Sequence, residues 1–164
     1  LSDWLFTLRV DGIPMAKGSP NAFVMNRKQI AADPKARSKI NIVEGRRGPA
    51  QEAYIAWTRA IFENAQNAVR IARHEALDEP LIFCARFYLP RPKSKKKAIY
   101  CDTRPDYDKL CRLVIDELER AGVMKNDGRI VKWGEPNGKY YECEGYPPGV
   151  WIGIRSANIT WEDE

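Results

Sequence analysis

A chain of 164 residues, 44% hydrophobic and 30% charged, is long enough for one domain with a real core and excludes a fibrous repeat or a disordered chain. No apolar run reaches bilayer length, and Leu1-Ser2-Asp3-Trp4-Leu5-Phe6 lacks the basic start and long apolar stretch of a secretory leader, so neither a membrane span nor export is expected. The net charge of +5 is modest and by itself excludes little.

In chain order, residues 6–10 alternate and predict a strand, ended by Asp11-Gly12. Residues 13–20 are broken by Pro and Gly and predict a loop. Residues 21–48 are polar, basic and weakly periodic, which predicts short strands or a mobile arm. Pro49 opens a helix reaching about residue 76, with Tyr54, Trp57, Ile61, Ala65, Ala68 and Ala72 on its apolar face. Residues 81–89, mostly apolar and bounded by Pro80 and Pro90, predict a central strand. A basic loop over 90–97 follows. A second helix starts near Asp106–Asp108, buries Leu110, Leu113, Val114 and Leu118, and stops at Ala121-Gly122. Asn126-Asp127-Gly128 predicts a turn. Residues 129–133 and 139–143 predict a hairpin around Glu135-Pro136-Asn137-Gly138. Residues 150–159 alternate and predict a closing strand. The expected fold is α/β: a single domain over 1–164, with a mixed sheet and two main helices.

Charge is segregated along this chain. Residues 15–48 hold eight basic side chains, including Lys17, Arg27 and Lys28, against Asp33 and Glu44. Residues 91–97 hold Arg91, Lys93, Lys95, Lys96 and Lys97 with no acid. These stretches carry +6 and +5, so the remainder is net −6. The local positive field would attract a polyanion, although solvated basic loops read the same way. Cys84, Cys101, Cys111 and Cys143 have no CxxC spacing, and His74 is the one histidine. Reduced thiols are expected rather than zinc or a disulfide framework.

Asp106 and Asp108 flank Tyr107 at the start of a helix. In an extended segment, residues two apart point to one side, so both carboxylates can approach a hard cation such as Mg²⁺ or Mn²⁺. A helix N-cap with an adjacent acid is the alternative. Asp127 alone is a turn residue. Arg112, four residues after Asp108, is either a surface ion-pair partner for Asp108 or Asp116, or a cation beside a phosphate.

Residues 104–118 (Arg-Pro-Asp-Tyr-Asp-Lys-Leu-Cys-Arg-Leu-Val-Ile-Asp-Glu-Leu) and 123–131 (Val-Met-Lys-Asn-Asp-Gly-Arg-Ile-Val) resemble the RusA family of Holliday-junction resolvases. Residues 12–20 resemble that family's early Gly/Pro/Lys loop, and 87–94 its strand ending in a Pro/Lys-rich loop. The resemblance implies a RusA-like homodimeric, Mg²⁺-dependent endodeoxyribonuclease that makes paired nicks in branched DNA, a four-way junction above all, leaving 5′-phosphomonoesters. It implies a role in DNA recombination, repair or phage DNA processing, in a bacterial or phage-infected cytoplasm. By position it makes Asp106, Asp108 and Asp127 metal-binding catalytic acids, with Arg112 where the family has a functional Lys. Lys17 falls on the family's early-loop Lys, and the basic stretches, through Lys17, Arg27, Lys28, Arg91, Lys93, Lys95, Lys96 and Lys97, are expected to contact DNA phosphates. The chain departs from the family at Lys109 (Asn), Arg112 (Lys) and Asn126 (acid). A broader flap or fork nuclease and a catalytically inactive DNA-binding module are the alternatives.

Overall fold

The computed structural model describes residues 3–18, 20–24, 40–44 and 49–158. Strand β1 (Trp4–Asp11) extends past its alternating stretch at both ends because it pairs along its length with the last strand. The basic segment contains two antiparallel strands, β2 (Pro20–Val24) and β3 (Ile40–Glu44), as the expectation of short strands allows. Arg27 and Lys28 lie outside the described residues.

Helix α1 (Pro49–Ala72) begins at its proline and ends before residue 76. Arg73 takes a positive φ of 48°, and the His74 amide turns back to the Val69 carbonyl at 2.9 Å. This left-handed residue satisfies a late carbonyl and stops the helix without a glycine. Trp57, Ile61 and Ala65 are buried and Tyr54 and Ala68 half-buried, whereas Ala72 is exposed. The apolar stripe leaves the core one turn earlier than the sequence pattern does.

Strand β4 (Leu81–Leu89) forms the centre of a five-stranded sheet. Helix α2 (Tyr107–Arg120) follows, with all four expected apolar positions buried together with Cys111, Ile115 and Glu117. A 3-10 turn at Asp127–Arg129 leads into β5 (Ile130–Trp133), β6 (Gly138–Tyr141) and β7 (Gly149–Ser156). Strand β7 lies antiparallel between β1 and β4. Ile159, at the expected end of the last strand, lies outside the described residues.

The expected hairpin between β5 and β6 is corrected by the topology. Both strands run parallel to β4, β5 beside Leu81–Phe83 and β6 beside Arg86–Leu89. They are two pieces of one interrupted edge strand, and the chain never reverses between them. Residues 134–137 step out of the ladder: the Gly134 amide still reaches the Phe83 carbonyl at 2.9 Å, but Pro136 has no amide to donate. The Asn-Gly signal ends an excursion rather than a turn.

Both helices cover one face of the sheet. Phe6 and Val10 of β1, Phe83, Ala85 and Phe87 of β4, and Val150, Ile152 and Ile154 of β7 share a core with Trp57, Ile61, Leu110, Leu113, Val114 and Leu118. Each such side chain contributes about 1.5–3 kcal/mol by leaving water. All four cysteines are free thiols, as expected, with Cys143 exposed. Among the described residues, no helix is long and apolar enough to cross a membrane.

Candidate active site

The Asp106-Tyr107-Asp108 segment is anchored by its middle residue. Tyr107 buries its ring edge-on against Phe87, at a centroid distance of 6.0 Å, and beside Trp133 at 5.8 Å. Its hydroxyl donates to the Ala85 carbonyl at 3.0 Å. Burial pushes this phenol far up, so it stays a neutral anchor. With Tyr107 turned into the sheet, the acids on either side remain exposed.

Asp106 occupies the N-cap position in extended geometry, yet its side chain makes no capping hydrogen bond. The cap alternative therefore holds for the backbone and not for the carboxylate. That carboxylate stands 3.2 Å from Lys109 Nζ, so the residue that replaces the resembled family's Asn pairs with the first acid. The Asp108 carboxylate makes no hydrogen bond or ion pair among the described residues. The segment before Asp106 is tied down by Lys139 of β6, which donates to the Thr103 carbonyl at 2.5 Å and the Pro105 carbonyl at 2.8 Å.

Asp127 opens the 3-10 turn. Its amide is held by Glu119 Oε2 at 3.0 Å, and Asn126 caps the turn by accepting from the Gly128 amide at 2.7 Å. An amide oxygen thus performs the capping that an acid would perform at position 126. Asp127 lines a groove of about 340 Å³ with Lys17, Arg112, Ile115, Asp116, Ile130 and Trp133. Arg112 is exposed there, without an ion pair among the described residues. Of its expected partners, Asp116 instead pairs with Lys17. Asp106 lines a neighbouring cleft of about 560 Å³, and Lys17 borders both.

Lys17 fastens the 13–18 loop to α2. Its amide donates to the Lys109 carbonyl at 3.0 Å and its ammonium to Asp116. The Asp116 hydrogen bond raises the Lys17 pKa above its ordinary 10.5. The pair's stabilising effect is then fully present below 10.5 and fades as pH rises through the raised folded-state value. Lys17→Met should accordingly be less stable than the parent at neutral pH, and the gap should close under strongly alkaline conditions. Urea midpoints of both proteins across that range test this; a gap that does not change with pH would mean that Lys17 acts through packing alone.

The basic loop divides in two. Arg91, expected on DNA, directs its guanidinium at the carbonyls of Lys95 (2.7 Å), Ala98 (2.6 Å) and Glu142 (3.1 and 3.2 Å), and stacks over Tyr141. Lys95 is paired with Asp102 at 3.3 Å. Lys93, Lys96 and Lys97 are exposed, with no ion pair among the described residues. Arg91 shapes the loop, and these three lysines carry its outward charge.

Among the described residues, no three Asp, Glu, His or Cys side chains stand close enough together to hold a metal ion. Asp106, Asp108 and Asp127 therefore do not form a ready-made cage. Two of them, Asp108 and Asp127, are exposed hard-oxygen donors without a neutralising partner among the described residues, which suits a cation that takes one or two carboxylates and fills its shell with water and phosphate. Asp116, which the sequence offers as a partner for Arg112, lines the groove and pairs with Lys17 instead. Sequence reasoning missed Lys139, because its contacts lie 34 and 36 residues away.

No curated protein matches this chain. A family model described as "Endodeoxyribonuclease RusA" matches residues 30–155, leaving Lys17 and its loop outside the match but including all three aspartates, Arg112 and the lysine loop. The match covers well over half of the sequence, and the chain belongs to the RusA family of endodeoxyribonucleases, hydrolases that act on branched DNA.

Proposed function

We propose that the whole chain, residues 1–164, acts as one domain of a homodimeric, Mg²⁺-dependent endonuclease that resolves four-way junctions by paired nicks, leaving 5′-phosphomonoesters. Mn²⁺ is the alternative ion. The observation that carries the reading is that Asp127 and Arg112, an acid and a cation from different elements, line one groove with neither in an ion pair among the described residues. In this reading Asp106, Asp108 and Asp127 hold the metal, which supplies Lewis acidity toward phosphate and a more acidic water. Arg112 offsets charge that develops on the phosphate. Lys93, Lys96 and Lys97 bind phosphates, with Arg27 and Lys28 proposed for the same role. Lys17 and Arg91 act by holding the loops that present these groups. A junction has near two-fold symmetry, which a symmetric dimer would match. DNA as the substrate supports a cytoplasmic place of action, in a bacterium or phage-infected cell, in recombination, repair or phage DNA processing.

The absence of a three-acid cluster among the described residues and the Lys109–Asp106 pair favour a second reading, a DNA-binding module without catalysis. Calorimetric titration with Mg²⁺ separates the two. The nuclease reading expects weak binding to the free protein and much tighter binding when junction DNA supplies phosphate oxygens. No metal uptake in either state would leave the binding module. A side-by-side panel of four-way junction, fork and flap substrates then ranks the branched targets, and faster cutting of flaps would replace the junction as substrate.

A further inference from the structure

The sheet face opposite the helices carries a second site. Arg9 of β1, Trp151 of β7 and Arg86 of β4 are cross-strand neighbours in one row. On β7, the positions two residues to either side of Trp151 are Gly149 and Gly153, which share its face. The Trp4 and Trp151 rings lie over Gly153, where a side chain would meet both at 2.6 Å. Beside these rings opens a cavity of about 590 Å³ lined by Trp4, Arg9, Arg86, Tyr88, Tyr146 and Trp151, among others.

Its lining is aromatic, with two arginines and one carboxylate, Asp11. Arg9 lies over the Tyr88 ring at 5.2 Å and is paired with Asp11 at 2.9 Å. Arg86 has no carboxylate partner among the described residues, and its Nε is buried without a hydrogen bond. From the cavity a row of tyrosines, Tyr146–Tyr88–Tyr140–Tyr100, runs at centroid spacings of 5.1, 5.7 and 5.2 Å, the first two pairs stacked and the last tilted by 39°. Its two ends are open, with Tyr146 49% and Tyr100 65% exposed. Tyr100 lies just beyond the loop of Lys93, Lys96 and Lys97 in the chain.

We infer that this face binds a single-stranded DNA segment, phosphates on Arg9, Arg86 and the lysine loop, and bases stacked on the exposed ends of the tyrosine row. Aromatic platforms flanked by cations accept any base, because every base has a π-face. A second copy of the chain fits the face less well, since a two-fold contact would set Arg9 and Arg86 against their own copies. That the ligand is DNA rests on the nuclease reading; the site itself rests on the geometry above, on the face away from the Asp127 groove.

The test is fluorescence anisotropy of a labelled short oligothymidylate in chelator, with the full-length protein. Arg86→Gln and Tyr146→Leu should each weaken binding about tenfold. Arg86→Gln should also reduce the salt slope of log affinity by about 0.7, whereas the slope of Tyr146→Leu stays put. Junction cutting at saturating substrate should be unchanged in both. Because Tyr146 is half exposed, its variant tests the site even if Arg86→Gln fails to fold. Unchanged oligothymidylate affinity in a folded variant overturns the inference, as does a variant that sediments as a smaller species with affinity intact. A parent protein that binds oligothymidylate here yet cuts no branched DNA would sink the nuclease reading and leave this site standing.

Discussion

Replacing Asp108 with asparagine should lower Mg²⁺-dependent nicking of a synthetic four-way junction by a factor on the order of 10²–10³, with junction binding retained or tighter. The substitution is nearly isosteric at an exposed position on the first turn of α2, so the fold has no reason to change. It removes an anion with no partner among the described residues. In the proposed function that anion helps to hold a cation against the scissile phosphate, and without it the phosphate meets less repulsion and less catalysis. Gel assays of nicking and of binding, run on the same preparation, separate the two effects. A variant that cuts at the parental rate would remove Asp108 from the site, and parallel loss of binding and cutting would make it a structural residue.

The second large effect concerns Arg91. Arg91→Ala should cost about 3 kcal/mol of stability, because it strips charged donors from the Lys95, Ala98 and Glu142 carbonyls together. It should also weaken junction binding through disorder of the lysine loop. Lys93→Ala is the contrast: an exposed lysine whose loss leaves urea unfolding unchanged and reduces the salt slope of duplex binding by about 1. If Arg91→Ala unfolds at the parental midpoint and behaves like Lys93→Ala on DNA, then Arg91 belongs with the phosphate contacts and its carbonyl bonds are incidental.

The long periodic elements were legible in the sequence. The α2 stripe of Leu110, Leu113, Val114 and Leu118 and the apolar run of β4 appear where their spacing puts them, because burial on one face imposes a period that survives tertiary packing. The β5–β6 excursion was not, since a Pro-Asn-Gly cluster marks a departure from regular structure without stating whether the chain returns antiparallel or continues. At the site, the Asp-Tyr-Asp spacing put two acids on one side of the chain, and the buried Tyr107 between them explains why both are exposed. Basic residues were the least legible. Arg91, Lys95 and Lys97 look alike in a string of charges, yet the first is held by carbonyls and the second by a carboxylate. The path of the loop backbone and the distant Glu142 carbonyl set those roles, and composition alone does not state them.

The broken strand along the outer side of β4 also bears on self-association. An unbroken outer strand exposes a continuous row of amides and carbonyls to which another chain can add itself. Here the row is cut after Trp133, leaves the ladder through Glu135 and Pro136, and resumes at Gly138 for four residues. The first piece is four residues long, the second is already bonded on its outer side to residues 99–101, and a proline and a carboxylate stand at the gap. This side of the molecule therefore offers no continuous edge for β-sheet growth between copies.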